Sequence, residues 1–113
     1  MGSGTPATSR FTEVEVASAL VRRCREGAFG VAERDRALAE LTHDLAAMTV
    51  VEVVSAVTDR ARALLIRHAL RAGDALQLAS CLILRDGVGT VTFAAFDDRL
   101  IEAARAEGLR ILS

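Results

Sequence analysis

Residues 90–104, TVTFAAFDDRLIEAA, contain the pattern that decides the fold class. The run from 90 to 96 is β-branched, small or aromatic and carries no charge, which is typical of a strand buried on both faces, as parallel strands are. From residue 98 onward the apolar side chains recur at helical spacing. Asp97 and Asp98 stand at the junction, where a helix cap needs only one carboxylate. The second carboxylate therefore raises the question of a binding role.

Helical and extended patterns alternate along the rest of the chain. Short apolar runs at Met48–Val51 and Leu109–Leu112 predict two further buried strands. This alternation favours one α/β domain with a parallel sheet flanked by helices, over residues 8–113. Residues 1–7 are interpreted as a flexible lead, and the opening MGSGTPATS is expected to contribute nothing to the core. The apolar spacing predicts helices at 12–26, 31–47, 53–70, 74–85 and 98–107.

The composition excludes several functional classes. With 113 residues, 51% of them hydrophobic and 26% charged, the chain is expected to fold as one globular domain. A net charge of −1 argues against a broadly basic nucleic-acid-binding surface. No apolar run approaches the roughly 20 residues of a membrane span, and no signal peptide is visible, so a cytoplasmic protein is expected. Cys24 and Cys81 are interpreted as free thiols.

Three acidic residues on separate elements are candidates for a common site. Asp97 follows a predicted parallel strand, at the sheet edge where ligands of open α/β folds bind. Asp74 opens DALQLASCLILR, the most apolar helical segment, and Glu15 lies among apolar neighbours on the first helix. Clustered carboxylates repel one another, and a divalent cation removes that conflict. Oxygen ligands suit Mg²⁺ or Mn²⁺, which can activate water for phosphodiester hydrolysis.

Each acid also has a purely structural interpretation. Asp74 after a glycine is typical of a helix N-cap, and one of Asp97 and Asp98 is expected to cap the last helix. Glu15 alone is compatible with an exposed helix position. The residues by themselves leave both interpretations open.

Four segments, in order, resemble the PIN domain, in the subgroup of VapC-like ribonuclease toxins of type II toxin–antitoxin modules. They are ATSRFTEVEVASAL, LRAGDALQLASCLIL, VTFAAFDDRLIEAA and EGLRIL. The resemblance places the family's conserved acids at Glu15, Asp74 and Asp97, with Asp98 as a register alternative. It implies a three-layer fold, Mg²⁺- or Mn²⁺-dependent cleavage of RNA, an antitoxin partner and a homodimer.

The chain also departs from that family pattern. Members begin with a strand that carries a further aspartate of the metal cluster, and this chain has no such region, so an N-terminally truncated domain is expected. The sheet should then show a central gap or a bare edge, and nuclease activity should be weak or absent. The position of Gln77, often histidine in the family, is a smaller difference. A non-catalytic module that binds an antitoxin or itself, and a generic α/β domain, are the alternatives.

Three basic side chains lie near the candidate acids or on an apolar face. Arg71 and Arg99 are candidates to hold a scissile phosphate, although pairing with the neighbouring acids is the favoured structural interpretation. His68 is expected to be a partly buried histidine with a satisfied hydrogen bond.

Overall fold

The computed structural model describes residues 6–95 and 97–112. Within these ranges the chain forms five helices and four short strands, and the α/β architecture is confirmed. The elements follow in the order β1 (Ala7–Ser9), α1 (Arg10–Arg25), α2 (Val31–Ala46), β2 (Thr49–Val51), α3 (Ser55–Arg67), α4 (Ala72–Val88), β3 (Thr92–Phe93), α5 (Asp98–Ala106) and β4 (Arg110–Ile111).

The strands pair in parallel, but they form two separate ladders. β1 pairs with β2 in the register Ala7 to Thr49, and β3 pairs with β4 in the register Phe93 to Ile111. Each ladder has two strands, and no pairing joins the two ladders among the described residues. The parallel pairing was expected, and so was an interruption of the sheet.

Two strand predictions differ from the structure. The opening segment was expected to contribute nothing, yet residues 7–9 form β1 and Ser9 is 4% exposed. A polar, three-residue strand gives no periodic signal, and it forms because β2 offers it a partner. The strand predicted over 90–96 is only Thr92–Phe93, because β4 pairs with just two residues. Residue 96 lies outside the described residues.

The core is built around α4, which packs along α3. Leu64 of α3 and Leu78 and Leu82 of α4 are fully buried. α4 extends to Val88 and ends at Gly89, whose φ of +93° is a left-handed conformation that glycine tolerates. The expectation that this apolar helix is buried on most sides is therefore confirmed. None of the described helices is long and apolar enough to cross a membrane.

The first helix is only partly buried. No residue of α1 is fully buried, and Val14 is 64% exposed. Val14, Ala17 and Val21 instead line a shallow surface cleft with Arg22 and Arg25. The α1 face that meets α4 carries Phe11 and Glu15, and the helix predicted at 12–26 is confirmed as Arg10–Arg25.

Candidate functional site

The position of Glu15 is fixed by the start of α1. Ser9 is the helix N-cap, and its Oγ accepts a hydrogen bond from the backbone N–H of Phe11 at 3.2 Å. Because β1 leads directly into this cap, the ladder with β2 sets where the helix begins. Glu15 lies less than two turns into α1, and it is half-buried, as its apolar neighbours suggested.

The Glu15 carboxylate lies against the first turns of α4. A Cβ added to Gly73 would lie only 2.8 Å from Oε2 of Glu15 and 3.0 Å from Cε2 of Phe11. Nε2 of Gln77 donates a 2.6 Å hydrogen bond to the other oxygen, Oε1. The glycine thus leaves room for the carboxylate, and the glutamine holds it at the positive end of the helix dipole.

Asp74 lies at the same end of α4, but it is not the helix N-cap that was expected. Arg71 occupies the N-cap position without a side-chain capping bond, so Asp74 is the third residue of the helix. Its side chain is half-buried and makes no hydrogen bond or ion pair with any other described residue. Asp74 directly follows Gly73, whose Cα faces Glu15, so these two acids approach one helix end from different elements.

Asp97 has a structural role at the start of α5. It is the N-cap of α5, and its Oδ1 accepts hydrogen bonds from the N–H groups of Arg99 at 2.9 Å and Leu100 at 3.1 Å. Asp98 is the first helical residue and is exposed, as expected for the residue that starts the helix. The expected cap is therefore Asp97, the same residue that was placed in the acidic cluster.

The described residues do not assemble a complete metal centre. No group of three or more His, Cys, Asp or Glu side chains within residues 6–95 and 97–112 is arranged to hold an ion. Carboxylate oxygens are the right donors for Mg²⁺ or Mn²⁺, and Glu15 lies against the helix turn that carries Asp74. Asp97 does not join them in a set of ligands, so the donor set among the described residues is incomplete.

Arg71 and Arg99 are not held by the neighbouring acids. Both side chains are exposed, and neither forms an ion pair with any acid in the described part of the chain. The favoured interpretation, that each pairs with the acid beside it in sequence, was wrong.

A second charged cluster joins the end of α3 to the end of α5. Arg67 contacts both carboxylate oxygens of Glu107 at 3.0 Å, and Nε2 of His68 lies 2.8 Å from Oε2. Burial opposes the charge on Glu107, but the hydrogen bonds from His68 and Arg67 outweigh it and hold the pKa of this carboxyl below its ordinary value. His68 is half-buried with a satisfied nitrogen, as expected, and this cluster is structural.

Gln77 is the site residue that sequence reasoning noted without assigning it a role. It lies four positions after Gly73 on α4, a spacing that places both residues on one helix face. A residue four positions after Gly73 lies on the helix face that packs closely against α1. This spacing is the signal that could have placed the Gln77 amide beside the Glu15 carboxylate.

Short parallel strands with their helices, and the Glu15 carboxylate held against the first turn of α4, which also carries Asp74, define an α/β domain with an acidic candidate site. The family model described as PIN domain matches residues 1–106, and the chain belongs to the PIN domain family. This excludes the generic α/β interpretation. PIN domains are generally divalent-metal-dependent, nuclease-type domains that commonly bind RNA. Comparison with curated proteins gave no match.

Proposed function

We propose that this protein is a VapC-like endoribonuclease of a toxin–antitoxin module that hydrolyses RNA phosphodiesters with Mg²⁺ or Mn²⁺. The observation that carries the proposal is the Glu15 carboxylate held at the N-terminal turn of α4, where Asp74 is the third helical residue. In a PIN domain, a carboxylate held against a helix turn that carries a second acid supports a metal site there. The proposed partners are RNA, a cognate antitoxin and a second copy of the chain, in the cytoplasm.

Each candidate residue has a proposed role. Glu15 and Asp74 are the proposed core of the metal site, and Asp97 is the proposed third ligand. The Oδ1 atom of Asp97 accepts the capping bonds, so its other oxygen would have to face the ion. Arg71 and Arg99, exposed beside these acids, are the proposed contacts to the RNA phosphates.

Activity of this chain by itself is proposed to be weak or absent. Among the described residues no group of three or more acids is arranged to hold an ion, and each missing anionic ligand weakens the binding of a divalent cation. Weak ion binding would leave too little charge neutralisation for phosphodiester hydrolysis.

A specific observation favours a second candidate, a non-catalytic PIN module that binds an antitoxin or itself. The α1 face formed by Val14, Ala17 and Val21 has no buried residue and lines an open cleft. Exposed apolar surface of this kind is typical of protein interaction sites. In this candidate function the acids serve only local structure.

Thermal melting in a Mn²⁺ titration separates the two candidates. An ion that binds only the folded state at about ten times its Kd adds roughly 1.4 kcal/mol to the free energy of unfolding, which corresponds to several degrees in Tm. We expect this rise in the wild type, a much smaller one in Asp74→Asn and Glu15→Gln, and an unchanged one in Asp44→Asn. Asp44 is an exposed acid of α2 and serves as the matched control.

An RNA cleavage assay completes the test. With Mn²⁺ and single-stranded RNA, we expect at most trace cleavage, and this trace should disappear in Asp74→Asn. Robust cleavage that Asp74→Asn abolishes would establish the nuclease and overturn the proposal of weak activity. A Tm that does not respond to Mn²⁺, with no cleavage, would favour the non-catalytic module.

A further inference from the structure

A shallow cleft of about 430 Å³ runs along one face of α1, and all of its lining residues belong to this helix. They recur at the spacing of a helix face and are Val14, Ala17, Ser18, Val21, Arg22 and Arg25. The first four are apolar or small, and the last two are cationic. Since no residue of α1 is fully buried, this α1 cleft is an apolar helix face with a basic end that the described part of the chain leaves uncovered.

The spacing of the α1 cleft suits a second helix. Val14, Ala17 and Val21 follow one another at steps of three and four residues, which is the seam spacing of packed helices. The small side chains of Ala17 and Ser18, in the middle of the face, let a partner helix approach closely. From Val14 to Arg25 the face is about 17 Å long at 1.5 Å per residue, so it accommodates roughly three turns of a partner helix.

The basic end of the cleft lacks a counterion within the described part of the chain. Arg22 and Arg25 are exposed, and neither forms an ion pair with an acid there. Because they are three positions apart, they can meet two carboxylates one turn apart on a partner helix. The helix dipole favours any cation in the last turn, Arg23 included. Only Arg22 and Arg25, however, continue the apolar face.

Other occupants fit the α1 cleft less well. In a two-fold interface a second copy would present the same face, which gathers the arginines of both copies where no described acid lines the cleft. Residues 1–5, 96 and 113, outside the described ranges, contain no Asp or Glu side chain that could fill it. An RNA strand would find only Arg22 and Arg25 for its phosphates, and no aromatic side chain among the described lining residues for its bases.

We propose that the α1 cleft binds an amphipathic, acidic helix of a partner polypeptide. The apolar stripe of this helix packs on the valines of the cleft, and its Asp or Glu side chains pair with Arg22 and Arg25. The inference gives a partner chemistry to the apolar face of α1. It does not depend on the proposed metal site, so a failure of the nuclease assay and a failure of this binding are separate results.

A library of capped helical peptides of about 14 residues tests this proposal, because four turns cover the whole face. Leucine is fixed at the seam positions, and the flanking positions are varied among Glu, Gln and Lys. Peptides enriched on the full chain should carry Glu at two positions one turn apart. In fluorescence anisotropy, replacing both Glu residues by Gln should weaken binding about tenfold, and added salt should weaken only the Glu peptide.

Variants of the protein provide matched controls. Arg22→Gln combined with Arg25→Gln should weaken the Glu peptide about tenfold and leave the Gln peptide unchanged. Arg23→Gln, at an exposed position of the same turn outside the cleft, should leave both unchanged. Val14→Ser should weaken both peptides, whereas Val31→Ser, at an exposed position of α2, should weaken neither. Circular dichroism checks that each variant is folded.

Three results would overturn the proposal: no enriched peptide, enrichment of Lys or of uncharged flanks, or binding that the double arginine variant does not weaken. Single-stranded RNA that displaces the peptide and loses affinity in the same variant would identify a nucleic acid as the occupant. Self-association in sedimentation equilibrium that Val14→Ser abolishes would identify a second copy. Either outcome would overturn the assignment to an acidic partner.

Discussion

Gln77 and Glu15 are 62 positions apart in sequence, yet Nε2 of the glutamine donates a 2.6 Å hydrogen bond to Oε1 of the glutamate. The contact ties the second turn of α1 to the second turn of α4 and is partly buried. Because the donor is a neutral amide, it orients the carboxylate without cancelling its charge. Glu15 is thus held in place against the start of α4.

Replacing this donor by an acid tests the arrangement. Gln77→Glu places a second carboxylate at hydrogen-bond distance from Glu15, so the free energy of unfolding should fall by about 1–2 kcal/mol near pH 7. Repulsion raises the folded-state pKa of the pair, so the penalty grows as pH rises above the unfolded-state value and shrinks on acidification. Urea unfolding near pH 5 and pH 7 should show this recovery. Gln77→Leu, which removes the donor without adding charge, should show none.

Gly73→Ala tests the close approach of α1 to α4. An added Cβ would displace the Glu15 carboxylate and press on Phe11, both at 3.0 Å or less. In Gly87→Ala, on the same helix, the Cβ meets nothing within 4 Å, so that variant should gain about 0.5–1 kcal/mol from the helix propensity of alanine. Gly73→Ala should be less stable than Gly87→Ala by about 1 kcal/mol. Equal stabilities in urea unfolding would contradict the close contact.

Substitutions at Asp97 separate its capping role from its proposed metal role. Asp97→Ala should cost about 1 kcal/mol because two backbone donors of α5 lose their acceptor. Asp97→Asn keeps an acceptor oxygen and should remain within about 0.5 kcal/mol of the wild type. The Mn²⁺-induced rise in Tm should nevertheless fall in Asp97→Asn, since the amide has lost the charge. An unchanged rise would assign Asp97 to capping alone, and Asp98→Ala is the control for a nearby exposed acid.

Glu107 makes the free energy of unfolding depend on pH in the acidic range. Its pKa is held below the ordinary value by His68 and Arg67, so its contribution is present above the unfolded-state pKa of about 4.3 and is lost as pH falls through the folded-state value. Glu107→Gln should lower the free energy of unfolding by about 1 kcal/mol near pH 7 and flatten the decline below pH 4.3. Glu102→Gln, an exposed position on the same helix, should reproduce the wild-type profile in acid titrations followed by circular dichroism.

The sequence predicted most of the helices, because apolar spacing in segments such as 53–70 and 74–85 reports a buried face directly. The sequence did not predict the extent of strands whose formation depends on the strand they pair with. β1 is short and polar, so only its pairing with β2 makes it a strand, and β3 shrinks to the two residues that β4 can pair.

The candidate site was predicted in part for similar reasons. Glu15 was expected to be partly buried, and it is. Its approach to Gly73 and its bond to Gln77 depend on how α1 crosses α4, which no local pattern encodes. The sequence also could not distinguish a helix-capping role from a metal-binding role for Asp97, because both roles place a carboxylate directly before a helix.

The two ladders share α4 but exchange no strand hydrogen bonds with each other among the described residues. Opening of the β3–β4 pair therefore need not break the hydrogen bonds between β1 and β2. We expect the two ladders to open independently while the packed α3–α4 pair stays folded. Native-state hydrogen exchange should resolve two early-opening units and one late one.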